Sequence, residues 1–205
     1  MLATRIRLAT PADGSALAAI YAPSVIGSVT SFELDAPDSE EMGRRIARVT
    51  TRTPWLVCEA RGEAVGYAYA SSHRERPAYQ WSVEVSAYVR DDLQRRGIGR
   101  ALNSSLIAVL ILQGFRNAYA GITLPNAASV RLHEGLGFTT VGVYRGAGYK
   151  LGAWHDVMWL ARTLAPHELS PPTPVSLPEV RDDAILSAAL ASGLPLLHLD
   201  VRHAK

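Results

Sequence analysis

Gln94-Arg95-Arg96-Gly97-Ile98-Gly99-Arg100-Ala101 sets two glycines and three arginines between a β-branched run, Val83 to Val89, and a long helical pattern. In that pattern Ile98, Ala101, Leu102, Ser105, Leu106, Val109, Leu110 and Gln113 recur on one face. A strand that turns through glycines into a helix start gathers backbone N–H groups left without partners inside the helix. Such a concavity binds anions, and arginines beside it add charge. Glycine at 97 and 99 is expected because a Cβ would hold a phosphate away from the backbone. The chemistry is therefore diphosphate binding. A dinucleotide fingerprint is excluded, since Leu102 stands where its third glycine belongs. A P-loop is excluded too, since Arg100-Ala101-Leu102 replaces the required Gly-Lys-Ser/Thr.

About thirty residues on, Pro125 stops a strand and Asn126 offers an N-cap. Asn126, Ser129, Val130 and His133 then fall on one helix face. Gly135 and Gly137 end that helix before a strand from Phe138. Within the earlier strand, Ser82, Glu84, Ser86 and Tyr88 alternate with Val83, Val85, Ala87 and Val89. A carboxylate at mid-strand resists burial, so Glu84 faces a cleft or pairs with Arg74 or Arg76. Those two arginines lie in a polar segment between strands, and their forks suit a carboxylate or phosphinate. Lys150 is a weaker candidate for the same task. His155-Asp156 has no second His-rich segment or activated serine to work with and reads as structural.

The arrangement Q-x-x-G-x-G between strand and helix resembles the acyl-CoA loop of the GNAT acetyltransferase superfamily. The asparagine-led helix ending in Leu132-His133-Glu134-Gly135-Leu136-Gly137-Phe138 is similar to the helix that packs beside the CoA arm in that superfamily. Tyr67-Ala68-Tyr69-Ala70, Arg74-Glu75-Arg76, Trp81-Ser82-Val83-Glu84-Val85-Ser86, Leu124-Pro125-Asn126 and Gly148-Tyr149-Lys150 through Trp154-His155-Asp156-Val157 look like the phosphinothricin N-acetyltransferase branch. Thr30-Ser31-Phe32-Glu33 and Pro54-Trp55-Leu56-Val57 are similar as well, so the match runs from about Ile6 to Arg162. Ala22-Pro23 departs from the branch, and the tail beyond Ala165 is unfamiliar.

The resemblance implies an α/β (α+β) GNAT fold: a mixed sheet of six to seven strands, a splayed parallel pair at the acyl-CoA site, and helices on both faces. It implies acetyl transfer from acetyl-CoA to the amine of an amino-acid-like substrate, without a metal. Glu84 would be the base or amine-positioning group. His133 stands where many such enzymes place a tyrosine acid, as a proton relay or a stabiliser of the tetrahedral intermediate. Ala87, Tyr88, Val89, Arg95, Arg96, Gly97, Ile98, Gly99, Arg100, Ala101, Asn126 and Ser129 would hold the acyl donor. Arg74, Arg76, Phe32 and Lys150 would hold the acceptor, and a homodimer is expected. The alternatives are acetylation of another amine, such as a protein N-terminus, and an acyl-CoA-sensing domain without catalysis. The last would need neither Glu84 nor His133.

The positioning elements read as strand Arg5 to Ala9, helix Ala12 to Val25, a loop, and helix Glu40 to Thr51 opened by Asp38-Ser39-Glu40-Glu41. A hairpin follows, Trp55 to Ala60 and Ala64 to Ser72, then strand Gln80 to Val89, helix Gly97 to Gln113 and strand Asn117 to Thr123. This strand–helix–strand unit predicts a parallel pair at mid-sheet. Helix Ala127 to Gly135 and strands Phe138 to Tyr144 and Ala153 to Leu160 close a domain spanning residues 1–165. Five prolines between Pro166 and Pro178 read as an extended linker, with a short helix between Arg181 and Ser192 in a non-catalytic tail. A net charge of +2 gives no basis for a nucleic-acid surface. No apolar run is long enough to span a bilayer, and Met1 to Thr10 lacks a signal pattern. A single cysteine, Cys58, excludes an internal disulfide. A cytoplasmic protein is expected.

Overall fold

In a computed structural model, which describes residues 4–180 and 184–199, strand β1 (Arg5–Leu8) leads into helices α1 (Gly14–Ile26) and α2 (Ser39–Val49). Strands β2 (Trp55–Ala60), β3 (Glu63–Ser72) and β4 (Ser82–Val89) follow, then helix α3 (Ile98–Gln113) and strand β5 (Asn117–Thr123). Helix α4 (Ala127–Glu134), strands β6 (Thr139–Lys150) and β7 (Ala153–Thr163), and helix α5 (Ala184–Ala191) complete the described chain. The strands form one sheet in the order β1-β2-β3-β4-β5-β7-β6. Every neighbouring pair is antiparallel except β4–β5, as the crossover through α3 requires. This is the mixed sheet expected of a GNAT fold.

Alternation along the strands divides the apolar side chains between two faces. Leu56, Cys58, Val65, Ala68, Val83, Val85, Ala118 and Ala120 pack with Ile98, Leu102 and Leu106 of α3. Trp55, Val57 and Tyr67 point the other way and pack with Leu17, Tyr21 and Val25 of α1 and Met42 and Ile46 of α2. The second face is aromatic near its centre, where Tyr67, Tyr69 and Trp55 stack and Tyr88 meets Tyr21 edge-on at 4.7 Å. Burial raises the Tyr21 phenol to about 12, so it stays a neutral donor.

Two features differ from expectation. Strand β6 continues to Lys150 instead of ending at Tyr144. Arg145-Gly146-Ala147-Gly148 resembles a turn, but the register shift it causes is pinned from β7. Asp156 accepts there from Gly146 N–H at 2.8 Å and from the Arg145 guanidinium, both of which hold its carboxyl below the usual range. The proline-rich segment is docked along the domain, with Pro172 O accepting from Trp81 Nε1 and Val175 O from Gln113 Nε2. Helix α5 packs on α3 through Leu186 and Ala189; residues 181–183, read as part of this helix, lie outside the described residues. No helix among the described residues is long and apolar enough to cross a membrane.

Candidate active site

Strands β4 and β5 pair only at Ser82–Asn117, Val83–Ala118 and Glu84–Tyr119. Beyond Glu84, β4 keeps its partner β3 as far as Val89, while β5 stays with β7. The two strands therefore part at Glu84, and Val85 to Val89 expose an unpaired edge towards the gap. A thioester arm with amide groups of its own can pair with such an edge. At its far end the chain turns through Arg95 (φ +62°) and Gly97 (φ +78°) into α3. Arg95, Arg96 and Arg100 are exposed, and none has an ion-pair partner among the described residues. The free first-turn N–H groups and this charge suit a diphosphate.

The glycines also have a reason within the protein. A Cβ on Gly97 would overlap the Leu196 carbonyl, and one on Gly99 would lie 3.1 Å from Leu132 Cδ1 of α4. Both close approaches are to protein atoms, and Gly97 also needs its left-handed φ.

Glu84 lies half-buried on the aromatic face. Its Oε1 is 2.9 Å from His73 Nδ1 and 3.6 Å from Arg74 Nη1. The His73 ring stacks on Tyr119 at 4.2 Å and 14°, and presents its edge to Tyr79 and Trp159. Packing on three sides holds the imidazole against the carboxylate. His73 does not stand out in the sequence because His73 to Arg76 reads as a polar connection beyond the strand that ends at Ser72. The signal was present nonetheless. Antiparallel pairing sets Ser71 opposite Glu84, and period-two alternation returns position 73 to the same face.

The acceptor-side residues separate. Arg74 is about half exposed and also donates to the His73 carbonyl at 3.2 Å. Arg76 caps the turn Pro77–Tyr79 and lines the same depression as Arg74, Tyr79 and Ser82. Phe32 lies over Gly148 of β6, with its ring tilted against His155. Lys150 does not join them. Its ammonium is buried and donates to Val25 O at 2.5 Å and Ser31 O at 2.7 Å, fastening the loop that carries Phe32. Tyr21 and Arg45 fasten the same loop through Glu33. A long cation after a Gly-Tyr pair looked available for substrate, but two main-chain carbonyls claim it.

Helix α4 begins with Asn126, whose Oδ1 accepts from Ser129 N–H at 3.1 Å, so this side chain serves the helix. His133 is buried, donates from Nδ1 to Ser129 O at 2.8 Å, and meets Phe138 edge-on. Ser129 Oγ is 3.5 Å from the same nitrogen. Glu84 has its direct contacts with His73 and Arg74, and His133 its own with Ser129 and Phe138. Burial lowers the His133 pKa. Because the unfolded chain then binds the proton more readily, stability is lost as pH falls from about 6.5 through the folded-state value. His133→Asn, whose amide can still donate to Ser129, is expected to flatten the drop in Tm between about pH 7 and about pH 5.5. Equal drops in both proteins would remove His133 from this role.

A sheet parted at mid-strand, an anion-ready helix start at the end of the gap and a carboxylate at its apex define an acyltransferase of the GNAT type. Residues 6–159 match the acetyltransferase (GNAT) domain family, and the chain belongs to it. Among curated relatives, a phosphinothricin N-acetyltransferase from Streptomyces viridochromogenes is 42% identical over 83% of this chain and 92% of the relative. An L-methionine sulfoximine/L-methionine sulfone acetyltransferase from Pseudomonas aeruginosa is 35% identical over 83% of this chain and 100% of the relative. Among solved structures, a GNAT superfamily phosphinothricin acetyltransferase from Sinorhizobium meliloti, in complex with acetyl-CoA, superposes with a TM-score of 0.80. It is 34% identical and covers 87% of this chain and 97% of its own.

Proposed function

We propose that this protein transfers the acetyl group of acetyl-CoA to the α-amine of a small amino-acid-like acceptor of the phosphinothricin, methionine sulfone or methionine sulfoximine type. The observation that carries the reading is Glu84, set at the apex of the β4–β5 gap with His73 and Arg74 on its carboxylate. The names of the relatives support the acceptor class.

Attack on a thioester requires a neutral amine, so a proton must leave the ammonium form of the acceptor. Glu84 receives it, directly or through one water, on the oxygen not held by His73. With its hydrogen on Nδ1, His73 donates to the carboxylate and keeps it oriented towards the amine. The departing thiol, with an ordinary pKa of about 8.5, needs only modest acid help. Arg74 and Arg76 receive the anionic end of the acceptor, and the aromatic floor around Tyr119 and Trp159 excludes water from its methylenes. The edge of β4 from Ala87 to Val89 and the loop from Arg95 to Ala101 hold the donor.

Gly99→Asp sets bulk and negative charge at the turn into α3. We expect it to abolish measurable acetyl-CoA binding by calorimetry in a protein that still folds, and unchanged binding would overturn the loop assignment. An acceptor panel of phosphinothricin, methionine sulfone, an aryl amine and a peptide N-terminus tests the substrate class. Turnover of the two amino-acid analogues is expected. Turnover of the peptide alone would favour a protein N-terminus as acceptor, and donor binding without any turnover would favour a sensing domain.

The reading extends to a cytoplasmic homodimer that gives its host phosphinothricin resistance, since an acetylated amine no longer carries the acceptor's charge. Exposed Val141, Tyr144, Tyr149, Leu151 and Trp154 along the β6 edge and its hairpin support a second copy there.

A further inference from the structure

The chain beyond residue 165 grips α3 along its whole length. At the C-terminal end Gln113 Nε2 donates to Val175 O, and at the middle Leu186 and Ala189 bury against Val109. One turn earlier Ser105 Oγ donates to Leu190 O at 2.8 Å and accepts from Gly193 N–H at 3.1 Å. Gly193 sits so close that a Cβ would overlap the Ala101 carbonyl. The chain then reaches the glycine loop itself. His198 N–H donates to Arg96 O at 2.9 Å, and the Leu196 carbonyl occupies the space a Gly97 side chain would need. Leu194, Leu196, Leu197 and Leu199 anchor this stretch on the main core. All of it lies outside the family match, which ends at residue 159.

The hydrogen bond of the tail to the loop is made to an acceptor. The tail takes up the Arg96 carbonyl, an acceptor, and the Cα of Gly97. The donors that would meet a phosphate are N–H groups of the helix start. Ordering a glycine loop on binding costs conformational entropy. A second segment that has already fixed the loop removes that cost.

We propose that residues 184–199 form a built-in wall of the donor site, holding Arg96, Gly97 and the first turn of α3 in the shape that receives the acyl donor's diphosphate. The proposal rests on the reading of this loop as the acetyl-CoA site. Tail docking and donor binding then favour each other, and by linkage each strengthens the other equally.

Two measurements test this. In the wild-type protein, acetyl-CoA should slow amide hydrogen exchange in residues 184–199 as well as in the loop. In Gly193→Ala, where φ is an ordinary −82° but the added methyl must lift the tail from Ala101, calorimetry should show a weaker donor. The expected rise in Kd is about 5- to 30-fold, the cost of re-ordering one backbone residue. The KM for the acceptor should stay near the wild-type value, and circular dichroism at the assay temperature should show the variant folded, which separates a weaker donor site from a smaller folded fraction. Unaltered tail exchange in the wild-type protein with donor bound would overturn the proposal even if Gly193→Ala failed to fold. Equal or tighter donor binding in a folded Gly193→Ala would also overturn it, the latter by making the tail an obstacle. Absence of acetyl-CoA binding to the wild-type protein would instead overturn the donor-site reading on which it rests.

Discussion

Replacement of Glu84 by glutamine is expected to lower kcat about 10²- to 10⁴-fold while acetyl-CoA affinity stays within about twofold, because the amide cannot accept the amine proton. The substitution keeps the shape of the side chain and leaves an oxygen for His73 Nδ1, 2.9 Å away in the wild-type protein. Steady-state rates give the first quantity and calorimetry the second. His73→Asn tests the orienting role, since its amide can donate where Nδ1 does but lacks the stacked ring that fixes the donor. A smaller fall in kcat is expected there than in Glu84→Gln. Wild-type turnover in Glu84→Gln would mean that the acceptor loses its proton to solvent and that Glu84 serves only as a partner for Arg74.

Arg74→Ala is expected to raise the KM for methionine sulfone or phosphinothricin about 10- to 150-fold, the range for losing one charge-assisted hydrogen bond. The guanidinium is about half exposed, and 3.6 Å from Glu84 it is only loosely committed to that carboxylate. It is therefore available to an anionic group brought in beside the amine. Arg74→Lys should recover little of the loss, because an ammonium lacks the planar fork that grips two oxygens at once. Acetyl-CoA saturation should not change. Unaltered KM for both acceptors would reassign Arg74 to the support of Glu84 and leave the anionic end of the substrate to Arg76.

The parts of the fold that were legible in the sequence are those with local causes. The strand–glycine–helix order around Gly97 and Gly99 predicts the mid-sheet parallel pair, and Asn126 announces the start of α4. Glu84 stands out because a carboxylate interrupts a β-branched run. The residues that escaped, or took another role, are decided by partners distant in sequence. Lys150 finds its carbonyls more than a hundred residues away, at Val25 and Ser31. His73 gains meaning only when β3 is laid against β4 and Tyr119 comes beneath the ring. His133 shares its helix face with Asn126 and Ser129 as the spacing implies, while its packing on Phe138 depends on the strand that follows the helix. A proline-rich composition suggests a spacer, but Trp81 and Gln113 supply donors that its local pattern could not reveal.

The central claim is that an acetyl group moves from a thioester to the α-amine of an amino-acid-like acceptor. Purified wild-type protein, acetyl-CoA and methionine sulfone, followed together by free-thiol release and by mass of the product, test it most directly. The account predicts thiol release that depends on methionine sulfone and matches, mole for mole, an acceptor heavier by one acetyl group on nitrogen. Thiol release at the rate of spontaneous hydrolysis, with methionine sulfone recovered unmodified while another amine is acetylated, would contradict it.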